Sequence, residues 1–197
     1  MNNDSGFGSF VDTISSHKDV MADIADAGLE AAEEIPLFGW AVKAWNIKNT
    51  FQEKKLARNI REFLRCSSVD DAKNFISKFS SEEEKEELCD SLIQVLIDSE
   101  KPLKATLTSK IVNAINEDRL TVSEAHQLLL IILNASIPAL EAIDKFYQNN
   151  PSGSISTMDE DARTYGALLM SIGVIHVHGN MTRVTKLGRK LYECAFV

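Results

Sequence analysis

The sequence predicts a mostly α protein, a multi-helix bundle with a small β-hairpin near its C-terminal end. Three observations carry that prediction. Apolar residues recur every three or four positions from about residue 10 to residue 172, the spacing of amphipathic helices. Ser81, Thr121 and Thr157 each stand three residues before a glutamate, the signature of a capped helix start. Residues 174–178, Gly179-Asn180 and residues 181–184 read as strand, turn and returning strand.

Taken in order, residues 1–9 carry Asn, Asp, Ser and two glycines and predict a flexible tail. Residues 10–66 predict an N-terminal helical hairpin with an acidic arm and a basic arm. Between His17 and Ile35, Asp19, Asp23, Asp26, Glu30, Glu33 and Glu34 outweigh Lys18, a net of −5. Between Lys43 and Arg65, Lys43, Lys48, Lys54, Lys55, Arg58, Arg61 and Arg65 outweigh Glu53 and Glu62, a net of +5. Pro36 lacks an amide donor and Gly39 loosens the same region, so residues 35–39 predict a hinge that folds the acidic arm onto the basic one.

The stretch from Ile35 to Leu64 has two apolar faces in its first half. At about 100° per residue, Phe38, Val42, Trp45, Leu56, Ile60 and Phe63 fall within a sector about 60° wide, the width of a core-facing stripe. Leu37, Trp40, Ala44, Ile47 and Phe51 form a second stripe on the opposite side. That second stripe ends at Phe51, beyond which its positions hold Lys54, Lys55 and Arg58. Its cover is predicted to be the acidic arm, a second copy, a partner protein or a membrane.

Residues 67–150 predict a helical core. A serine cap at Ser67-Ser68 opens a short helix through Val69, Ala72, Phe75, Ile76 and Phe79. Ser81 with Glu84 opens a second, through Leu88, Leu92, Leu96 and Ile97, with a strongly acidic outer face that reads as solvated. Lys101-Pro102 starts a third, with Leu103, Leu107, Ile111, Val112 and Ile115 inward. The helix at 122–135 is apolar on nearly every side across LLLIIL and is predicted to be the central buried one. Pro138 breaks it, a further helix runs through Leu140, Ile143, Phe146 and Tyr147, and residues 149–154 read as a linker. In residues 151–197, Thr157 caps a helix ended by Gly173, the hairpin follows, and Thr185 caps a last helix with Leu187, Leu191 and Tyr192 inward.

The stretch LLMSIGVIHVHGNMTRVTKLGRKLYE resembles the end of bacterial winged-helix regulators. The marks are Gly173-Val174-Ile175 and the T-x-x-G-x-x-L helix of Thr185, Gly188 and Leu191. The resemblance implies a winged-helix-like C-terminal segment, and a nucleic-acid surface made by Arg163, Arg183, Lys186, Arg189 and Lys190. Against that use, the helix before the wing opens on Asp159, Glu160 and Asp161, whose charge repels phosphates. The front half resembles small bacterial helical proteins, some of them associated with stress or phage defence, through Ile35, Pro36, Gly39, Lys55, Phe63 and Leu64.

Composition narrows the classes of function. A formal charge of −8 over 197 residues argues against nucleic acid as the ordinary partner. Cys66, Cys89 and Cys194 are odd in number and far apart, which predicts no disulfide framework and a reducing compartment. The first residues lack the basic and apolar regions of a secretory signal, and no apolar run is long enough to span a bilayer, so a cytoplasmic location is predicted. His176 and His178 point to one face of a strand, as metal ligands can, but no third ligand is fixed by spacing, and no metal is expected. His126 reads as a hydrogen-bonded core residue and His17 as a surface one. G-x-S-x-G, H-E-x-x-H, phosphate-binding and dinucleotide-binding patterns are absent. The expectation is a non-enzymatic, cofactor-free protein acting by protein–protein association, with self-association through Leu37, Trp40, Ala44, Ile47 and Phe51. The alternatives are a DNA-binding regulator and an effector that exposes residues 37–51 to a membrane, where Trp40 and Trp45 would suit the interface.

Overall fold

The structure, a computed structural model, describes residues 50–66 and 77–197. The flexible tail, the acidic arm, the 35–39 hinge and most of the short helix at 67–79 lie outside the described residues. Within them the fold is mostly helical with one small antiparallel sheet. In chain order its elements are α1 (Thr50–Arg65), α2 (Glu82–Asp98), α3 (Pro102–Asn116), α4 (Val122–Asn134), α5 (Ile137–Asn149), β1 (Ser154–Ser156), α6 (Glu160–Ser171), β2 (Ile175–His178), β3 (Met181–Val184) and α7 (Lys186–Ala195).

Helix starts follow the capping residues. Ser81 accepts from the Glu84 N–H at 3.1 Å, and the Glu84 carboxylate accepts from the Ser80 N–H at 2.8 Å, one residue before the cap. Thr121 and Glu124 form the full reciprocal box. Pro102 and Pro138 each sit in a first turn, where no helical donor is lost. At the other end of α4, the half-buried Lys104 ammonium donates to the Leu133 carbonyl at 2.7 Å, and α5 then departs at 119°. No single helix among the described residues is long and apolar enough to cross a membrane.

One hydrophobic core runs from Leu56 on α1 to Ala195 on α7. Its centre is α3, not α4 as the LLLIIL run predicts. Nine of the fifteen residues of α3 are buried, against five of thirteen in α4. The reason is placement: α3 packs against α1, α2, α4 and α7, whereas α4 leaves an open side on which Leu130 is 41% exposed. The chain's last helix is held by aromatic stacking as well, with the Tyr147 and Tyr192 rings 4.3 Å apart and nearly parallel.

Helix α1 lies on α2 and α3, burying Leu56, Ile60 and Phe63. Asn59 is fully buried beside them, and its amide nitrogen donates to the carbonyls of Leu96 and Ser99, both at 2.8 Å. Those carbonyls lie in the last turn of α2 and at its C-cap, where the helix has no donors of its own to meet them. Arg58 adds a bond to the Glu100 carbonyl at 2.6 Å, and the Thr106 hydroxyl on α3 donates to Glu62 at 2.9 Å.

The C-terminal part corrects the sequence reading in three places. Residues 149–154 are a hydrogen-bonded turn: the buried Asn150 donates to the Phe146 carbonyl at 3.0 Å and to the Asp161 carboxylate at 2.8 Å. They lack apolar periodicity because hydrogen bonds, not burial, hold them. The hairpin gains a third strand, β1, giving the order β1-β3-β2. Because β1 extends the chain as far as Thr157, whose N–H donates to the Asn180 carbonyl, α6 starts later than predicted, with Asp159 as its cap in place of Thr157.

Replacing Asn59 by Ala strands two carbonyls at a buried helix end. The expected loss is about 1–3 kcal/mol in urea or thermal unfolding; a change below about 0.5 kcal/mol would show that the amide is dispensable.

Candidate functional site

The C-terminal sheet and α7 are joined through one backbone carbonyl. The Thr185 N–H donates to the Val174 carbonyl at 2.9 Å, and the Thr185 hydroxyl lies 3.0 and 3.2 Å from the Gly173 and Val174 carbonyls while accepting from the Gly188 N–H at 2.9 Å. Gly188 packs against the same carbonyl so closely that a Cβ would stand 2.2 Å from the Val174 oxygen. The T-x-x-G spacing thus has a local cause: threonine caps the helix and glycine lets its first turn reach the strand. Gly173 turns the chain out of α6 with φ +73°, and Gly179 opens the hairpin turn with φ +59°.

The five cations of the nucleic-acid reading are not equivalent. The Lys190 ammonium pairs with Glu124 at 2.6 Å, tying α7 to the first turn of α4. The Arg189 guanidinium donates to the Ser152 carbonyl at 3.3 Å and closes the turn before β1. Arg163 is exposed on α6, its guanidinium 3.9 Å from the Met158 sulfur. Arg183 and Lys186 are exposed, with no bond to either side chain among the described residues. The first turn of α6 carries Glu160 and Asp161 behind the Asp159 cap. Two of the five cations are therefore committed to contacts within the fold.

The self-association residues Leu37, Trp40, Ala44 and Ile47 lie outside the described residues, and Phe51 belongs to α1 without a described side chain. What the structure places is the continuation of both stripes. The first continues as the buried Leu56, Ile60 and Phe63; the second continues as half-buried Lys55 and exposed Arg58.

His176 and His178 are exposed on the outer sheet face, His126 is half-buried rather than in the core, and Cys194 is buried on α7. Burial pushes the Cys194 thiol above its ordinary range, which disfavours the thiolate that metals and electrophiles require. Among the described residues no three His, Cys, Asp or Glu side chains gather to hold a metal ion. The Tyr147 hydroxyl is buried with no hydrogen-bond partner, and burial likewise raises its pKa. An open cleft of about 610 Å³ lies between the entry to α2, the loop from α3 to α4 and α7. Its cations are each matched by an acid: Lys78 with Asp118, Arg119 with Glu117 and Lys190 with Glu124, all at 2.6 Å. The positive charges lining this cleft are thus each committed to a carboxylate of the fold.

Comparison of the chain with models of protein families, with curated proteins and with solved structures finds no match in any of the three.

Two outcomes follow from these contacts. Gly188→Ala drives a methyl group into a backbone carbonyl and should cost about 3 kcal/mol in equilibrium unfolding; a neutral effect would mean that α7 shifts freely against β2. The bond from Lys190, and after it the backbone bond at Thr121, holds the Glu124 carboxyl below its ordinary range. A depressed carboxyl contributes stability above its unfolded pKa and loses it as the pH falls through the folded value. Glu124→Gln should therefore be less stable than wild type at neutral pH by about 1 kcal/mol or less, and the gap should close in acid. A gap that is independent of pH would contradict the pairing.

Proposed function

We propose that this is a non-enzymatic bacterial protein of the cytoplasm that acts by self-association through the 35–51 stretch. The observation that supports the reading is the orientation of α1. Leu56, Ile60 and Phe63 are buried at 5%, 4% and 4% exposure, whereas Arg58 is exposed and bonds the Glu100 carbonyl at the bundle's rim. By helical periodicity the Leu37–Trp40–Ala44–Ile47–Phe51 stripe shares the sector of Arg58, about 120–180° from the buried trio. The described bundle uses one side of α1, and the second apolar stripe of the sequence, which helical spacing assigns to the opposite sector, is the surface proposed to meet another copy. An apolar surface of this kind is the ordinary basis of protein association. The resemblance of the front half to small bacterial helical proteins, some of them associated with stress or phage defence, is in keeping with a bacterial setting.

The reading is tested by molar mass in solution across a dilution series. Wild type should be a multiple of the 21.9 kDa protomer that dissociates on dilution. Trp40→Ser with Ile47→Ser should shift the midpoint at least tenfold toward higher concentration. A wild type that stays monomeric at every concentration would overturn the proposal.

A further inference from the structure

The sheet has two edges, and the chain treats them differently. At β1, the outward N–H and C=O of Ser154 both meet the Ser152 hydroxyl, at 3.4 and 3.2 Å, and the Ser156 carbonyl accepts from the Asp159 N–H at 3.0 Å. Three of the four outward groups of that edge are thus taken by the chain's own turn residues.

At β2 the register leaves one residue open. The two-residue turn Gly179-Asn180 makes His178 and Met181 a pair that exchanges both backbone hydrogen bonds, and alternation makes His176 and Arg183 the next. The bond from the Thr185 N–H to the Val174 carbonyl continues the same alternation. The N–H and C=O of Val177 therefore point off the sheet. Ile175 points the same way but is buried, at 3% exposure, so the open edge is residues 176–178. None of the described residues bonds the outward groups of Val177. Its side chain ends the row Ile155, Thr182, Val177 on the inner sheet face, and there Thr182 is 3% exposed while Val177 is 49% exposed.

We propose that this edge is a second association surface, on which β2 of another copy pairs antiparallel about Val177. The pairing is self-complementary. With Val177 opposite its counterpart, the two residues exchange both hydrogen bonds, the two valine side chains meet at the end of the inner row, and His176 stands opposite His178 of the other copy. Residues 175–178 hold no lysine, proline or bulge, and the brevity of the strand is the one device that limits pairing at this edge. The result is a continuous six-stranded sheet across a twofold axis, the commonest symmetry of protein pairs. This surface shares no residue with the 35–51 stripe. A protomer with both surfaces links into assemblies larger than a dimer, and a protomer with one stops at a dimer.

The test compares full-length wild type, Val177→Pro, Val177→Lys and Trp40→Ser with Ile47→Ser by molar mass at high concentration, with amide exchange at Val177 as a second readout. Proline removes an N–H that β3 does not use and is compatible with an edge strand, and lysine tests the edge without backbone change. Either Val177 variant should halve the wild-type mass or reduce it further, and the Val177 amide should exchange at least tenfold faster on dilution. If the stripe variant keeps the wild-type mass while the Val177 variants become monomers, the edge surface stands and the stripe reading falls. If both Val177 variants keep the wild-type mass, or Val177 exchange is independent of concentration, the edge proposal is overturned.

Discussion

The rotation of α1 about its own axis is set by one buried side chain. Asn59 sits between Leu56, Ile60 and Phe63, and its two hydrogen bonds to the last turn of α2 are available at one orientation only. A helix held by apolar contacts alone can roll by tens of degrees at small cost, because such contacts have no direction. A fully buried amide cannot roll without leaving unmet polar groups. The amide therefore decides which side of α1 the bundle consumes.

The same division of labour recurs at the other end of the chain. Apolar burial supplies the core that α3 threads, while a few directional contacts fix how the peripheral pieces meet it. The Val174 carbonyl receives the start of α7, Asn150 joins the end of α5 to α6, and Lys190 joins α7 to the head of α4. The first satisfies a backbone carbonyl beside a helix start, and the other two reach carboxylates in the first turns of α6 and α4. Cations that look available in the linear chain are consumed in this way, and the electrostatic surface is less basic than a count of Arg and Lys around the hairpin implies.

Much of this was legible in the chain. Ser81, Thr121 and Thr185 mark helix starts because capping is a local contact within four residues, and Gly173 and Gly179 mark turns because only backbone with φ above zero fits there. The hairpin register, and with it the outward direction of Val177, was also readable from the two-residue turn. What escaped was non-local. A three-residue strand such as β1 has no periodicity and exists through its pairing with β3. The relative burial of α3 and α4 depends on how many neighbours each acquires, which an apolar run does not encode. The partners of Lys190 and Arg189 lie 66 and 37 residues away in the chain.

Self-association through residues 37–51 is the central proposal. The chain holds two tryptophans, Trp40 in the second apolar stripe of the sequence and Trp45 in the first. With Trp45 replaced by Phe, the emission of Trp40 reports the surface alone. The account predicts blue-shifted emission at high concentration that moves to the red on dilution, in step with the loss of assembly. Emission that stays at one wavelength across the whole dilution range would contradict it.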